Sequence, residues 1–70
     1  MLNNMSFIDR TRYAVMLILT KQYNIPEEKA KEMVINSSFN EFLSKDPEFI
    51  GHRSATYWAK DILDEYDIVH

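Results

Sequence analysis

The side chains able to do acid–base or metal chemistry near neutral pH are few. Two histidines are present, His52 and His70, and imidazole is the usual general base and a common metal ligand. His52 has no His or Cys three or four residues away, His70 is the final residue, and cysteine is absent, so the ligand spacing of a zinc site is missing. The run His52-Arg53-Ser54 sets a base beside a hydroxyl, but neighbours on an extended loop point apart, and Ser54 is better placed to cap a helix. Four carboxylates, Asp61, Asp64, Glu65 and Asp67, crowd the end of the last helical pattern. Paired catalytic acids need one carboxyl in an apolar cleft, and these read as solvated. Acids at a helix C-terminus oppose its dipole by about 0.3–1 kcal/mol each. Two explanations fit their concentration there: solubility at a frayed end, or a docking edge for a basic partner.

Aromatic residues are the other surplus: four Phe, four Tyr and one Trp among 70 residues. A domain of this size needs large side chains to bury enough area, so most belong in the core. Tyr57 is the exception, because it lies about 100° around the helix from Trp58 and next to His52 and Arg53. Aromatic and arginine side chains together are typical interface anchors. The expected contact surface therefore runs from Phe49 to Trp58, with His52, Arg53 and Tyr57 as its chemistry and Asp61, Asp64 and Glu65 beside it.

Charge argues against nucleic acid as the main partner. The net charge is −3, but residues 1–24 hold three basic and one acidic side chain, +2, whereas residues 25–70 hold five basic and ten acidic, −5. Binding DNA takes several phosphate-neutralising side chains on one face. The nearest approach to a recognition helix, Phe39 to Lys45, has one Lys and one Glu. A patch of Arg10, Arg12 and Arg53 becomes large enough only if a dimer doubles it.

These residues must be positioned by a short chain. Seventy residues bury roughly 60 % of their unfolded surface, which leaves room for one domain and no cleft between lobes. Cores of this size supply about 3–5 kcal/mol, and no disulfide is available to add to it. One Gly and two Pro leave few turns, which favours helices over many short strands. The start, Met1-Leu2-Asn3-Asn4-Met5, lacks the basic and apolar regions of a signal peptide, and the longest apolar run, Tyr13 to Leu19, is too short for a membrane span. With the missing cysteines, this points to a cytoplasmic, non-membrane protein.

Helices are expected over about 7–23, 26–37, 39–45 and 55–66, three main ones and one short, in a single all-α domain. Ser6 caps the first, with Asp9 as a capping-box partner. Its buried face is read as Phe7, Ala14, Leu17 and Ile18, with Ile8, Val15 and Leu19 beside it, and the wide apolar arc places this helix centrally. Pro26 opens the second, followed by Glu27 and Glu28 at the positive end of the dipole. Ser37 falls on that helix's buried face, Asn36-Ser37-Ser38 offers a cap for the short one, and Asp46-Pro47 ends it. Glu48 to His52 reads as a turn or short helical segment, with Gly51 expected to take a positive φ. The core is read as Ala14, Leu17, Ile18, Met33, Val34, Phe42, Trp58 and Ile62.

The order of an apolar helix, Tyr23-Asn24-Ile25-Pro26-Glu27-Glu28, the aromatic segment Phe39-Asn40-Glu41-Phe42-Leu43, and Ile50 to Ile62 resembles a group of short bacterial all-helical domains of unknown function. In that group a His is followed by a Tyr at the spacing of His52 and Trp58; Tyr57 falls one residue early. The resemblance implies an intracellular domain, sometimes encoded near toxins or in mobile elements, with an antitoxin or accessory role and no catalytic residue. The residues themselves lead to the same class. With no metal set, cofactor motif or nucleophile–base pair, the expected role is non-enzymatic protein binding. The alternative is a small nucleic-acid-binding regulator acting as a dimer, and the wide arc of the first helix makes a homodimer the expected state.

Overall fold

The structure, a computed structural model, describes residues 6–67; Met1 to Met5, read above for a leader, and His70 lie outside them. Its elements are all helical: α1 (Phe7–Tyr23), α2 (Glu27–Ile35), α3 (Ser38–Lys45), α4 (Pro47–Ile50) and α5 (Ala55–Glu65). The three-plus-one count differs from this in α4, where Pro47 at the first helical position and Asp46, whose Oδ1 accepts from Phe49 N–H at 3.2 Å, make a helix of the segment read as a turn or short helical stretch. Helix α2 ends two residues before the expected boundary. Ser37 leaves it to become the N-cap of α3: its Oγ accepts from Asn40 N–H at 3.2 Å and donates to the Val34 carbonyl at 2.6 Å.

Helix α1 packs against both α2 and α5, and also touches α3, so it is the central element. Ser6 caps it, accepting from Asp9 N–H at 3.1 Å. The Asp9 carboxylate, expected to reach back to the cap, is engaged by Arg12 Nη1 at 3.2 Å. The buried face of α1 is Val15 and Leu19, flanked by Ile8, Met16 and Ile18. Ala14 and Leu17, expected in the core, are only partly buried, as is Ile18. At 100° per residue the expected face is rotated from the observed one by roughly 100°. Arg12 explains the error: it occupies the inner face, where its Nε donates to Asn40 Oδ1 of α3, and so hides that face in a pattern of apolar residues.

The core beneath is Val15 and Leu19 with Ala30, Met33 and Val34 of α2, Phe39 and Leu43 of α3, Ile50 of α4, and Trp58, Ala59, Ile62 and Leu63 of α5. Phe42, expected among them, is exposed. Phe39 and Leu43 are one turn apart and define the inner stripe of α3, and Phe42 lies roughly 80° off its centre. Gly51 is also corrected. Its φ is −66°, and positive φ falls instead on Asp67, at 58°, and on Asn24, at 57°, which ends α1 with its N–H on the Leu19 carbonyl.

Candidate functional site

Helices α3, α4 and α5 meet around the indole of Trp58. Its Nε1–H donates to the Ile50 carbonyl at 2.9 Å, which satisfies the buried donor and ties the end of α4 to α5. Phe39 lies on one side with centroids 5.6 Å apart, Phe49 meets it edge-on at 6.2 Å, and Tyr57 at 4.8 Å and 87°. Phe42 continues the chain, 6.3 Å from Phe49. The inner rings are buried and the outer three are not: Phe42 is 53 % exposed, Phe49 51 % and Tyr57 44 %. They line a groove of about 610 Å³, one wall of which is the acidic side of α5, Asp61, Asp64 and Glu65.

Of the residues expected at the contact surface, the structure gathers Phe49, Tyr57, Trp58, Asp61, Asp64 and Glu65 on this groove. Arg53 stands at its edge, its guanidinium 4.9 Å from the centre of the Tyr57 ring. His52 is not part of it. It is exposed and lines a separate hollow with Phe7, Pro47, Glu48 and Gly51. Ser54 Oγ accepts from Tyr57 N–H at 3.2 Å, so the hydroxyl beside His52 is engaged as the cap of α5. Phe42 is the contact residue that sequence reasoning missed, having been placed in the core. The helical wheel of α3, drawn about Phe39 and Leu43, was the available signal for it.

The three carboxylates have different situations. Glu65 is committed to the fold: its carboxylate accepts from Ser38 N–H at 3.0 and 3.3 Å and from Ser38 Oγ at 2.6 Å. It thus binds the end of α5 to the positive end of α3 and fixes the two walls of the groove. Asp61 is one turn before it. Partial burial, then the neighbouring charges of Glu65 and Asp64, raise its carboxyl above the ordinary aspartate range.

A second groove, of about 390 Å³, runs between α1 and α2 with Tyr13, Met16, Val34 and Ile35 as its apolar lining and charges of both signs around it. Among the described residues no three His, Asp or Glu side chains converge on a position that could hold a metal, and no helix is long and apolar enough to cross a membrane. Comparison of the chain with protein-family models, with curated proteins and with solved structures gives no match.

Proposed function

We propose that this chain is a non-enzymatic protein-binding module and that the aromatic groove of α3, α4 and α5 is its contact surface. The observation that carries the reading is the gathering of Phe42, Phe49 and Tyr57, half of the six large apolar side chains that stand exposed among the described residues, around one concave site. Half-exposed aromatics of this size offer about 100 Å² each, so the three together present about 300 Å² of apolar surface. That matches the largest patch on a typical monomer, which is often functional. Covering it is worth about 7 kcal/mol before the costs of association, enough for a modest complex and too little for an obligate one. The carboxylates along α5 disfavour phosphate backbones at the same place, which sets protein above nucleic acid as the ligand. The cytoplasmic address read from the cysteine-free chain belongs to the same proposal, as does an accessory role beside another protein.

Selection of a random peptide library on the full chain tests the reading, with counter-selection on the Phe42→Ser/Phe49→Ser variant. Both substitutions fall on exposed rings, so the variant should keep its helical circular dichroism. Peptides that shift Trp58 fluorescence in the parent and not in the variant are expected. A selection yielding only peptides that bind both proteins equally would remove the groove as the contact surface.

A further inference from the structure

Resting on that reading of the groove, we propose that its occupant is a segment of a different chain presenting arginine or lysine between apolar side chains. Its apolar groups cover Phe42 and Phe49, and its cations meet Asp61 and Asp64. The groove lining itself carries three carboxylates and no cation among the described residues. Asp61 accepts no hydrogen bond among the described residues and is held beside two like charges, which together with partial burial make its anion costly until a cation arrives. The ring faces favour the same chemistry. Arg53 already lies over Tyr57, so a guanidinium is accommodated on this surface, and the rings of Phe42 and Phe49 leave more than half their area open.

A second copy of the chain fits poorly. A two-fold dimer through the groove brings two acidic walls, six carboxylates and no lining cation, into one interface, and so many charges of one sign in a contact oppose binding. Seating the basic start of α1, Arg10 and Arg12, in a neighbour's groove is instead a head-to-tail contact that closes only if the rotation allows. Charge and shape together therefore select a basic, apolar segment of another protein.

Three eight-residue peptides of alternating leucine and arginine, leucine and serine, and leucine and glutamate distinguish the possibilities, read by fluorescence of Trp58, the sole tryptophan. The leucine–arginine peptide is expected to bind about tenfold more tightly than the leucine–serine peptide at low salt, with most of the difference lost near 1 M salt. The Asp61→Asn/Asp64→Asn variant should reduce the two to equal affinity. Equal binding of the arginine and serine peptides by the parent overturns the cationic partner and leaves the groove reading standing. Unchanged leucine–arginine binding by Phe42→Ser/Phe49→Ser places the contact elsewhere and overturns both. No leucine–arginine binding up to about 1 mM overturns the proposal as well. So does sedimentation showing a dimer that dissociates on Phe49→Ser, which would make the second copy the occupant.

Discussion

Replacing Glu65 by alanine tests the arrangement that holds the groove together. The wild-type carboxylate takes three contacts from Ser38, two from the backbone N–H at 3.0 and 3.3 Å and one from the hydroxyl at 2.6 Å, at the first residue of α3. These groups are exposed, so water replaces much of what is lost. A net value of about 0.5–1.5 kcal/mol for the hydrogen bonds is appropriate, with about 0.3–1 kcal/mol from the anion at the helix N-terminus. The expected loss is about 1–2 kcal/mol, a large share of the roughly 3–5 kcal/mol that a core of this size supplies. For a domain of 70 residues each kcal/mol moves Tm by roughly 4–8 °C, so Glu65→Ala should melt about 5–15 °C lower. Glu65→Gln retains an acceptor and loses the charge, and should fall between. Thermal circular dichroism with urea titrations gives the numbers, and the cycle through Ser38→Ala isolates the hydroxyl's contact, since the backbone N–H remains, with a coupling of about 0.5–1 kcal/mol expected. If both Glu65 variants unfold within about 0.3 kcal/mol of wild type, the resolution of such a comparison, the carboxylate is solvated and α3 and α5 are joined by packing alone.

Asp61→Asn should raise Tm at neutral pH. Its carboxyl has a folded-state pKa raised above the unfolded value, so its anion destabilises the fold above that raised pKa, and the penalty disappears as pH falls below the unfolded value of about 4. The advantage of the variant should therefore vanish by about pH 3, and an advantage that persists there would assign the effect to something other than ionisation. At Asn24, where φ is 57°, Asn24→Val should lose about 1–2 kcal/mol in urea unfolding while Asn24→Gly stays near wild type; equal stability of the two would show that α1 can end without the left-handed residue.

The helical character was legible because its signals are local. Ser6 and Ser54 stand one residue before apolar patterns of helical period, and each accepts the N–H three residues on in the structure. What misled was rotation about helix axes. Near Tyr13 to Leu19 α1 is apolar almost all round, so no moment singles out one side, and the true inner face contains Arg12, a residue that pattern reading assigns to solvent. Arg12 belongs there because its Nε meets Asn40 across the chain, a tertiary pairing that no window of neighbouring residues encodes. The same limit applies to the site. Asp61, Asp64 and Glu65 were visible as a cluster, but the capping of α3 by Glu65 joins residues 27 positions apart. His52 was singled out for its chemistry and its nearness to Arg53, and the turn directs it to a different hollow from Tyr57.

Phe42 and Phe49 carry the functional argument because stability does not account for them. Full burial of a Phe is worth about 1.5–3 kcal/mol, so leaving each half exposed forgoes about 1 kcal/mol apiece in a chain with little to spare. The core around them has the means to bury an aromatic ring, since Phe39 and Trp58 are seated within the same cluster. The two exposed rings are also held in fixed relation: Phe49 rests edge-on against Trp58, and the Trp58 N–H on Ile50 fixes the end of α4 that carries it. A rigid apolar surface lined on one side by carboxylates gains from contact with another chain what it does not gain from folding. Helix α4, only four residues long, is therefore the element on which the proposed binding most depends, because it presents Phe49 to the groove.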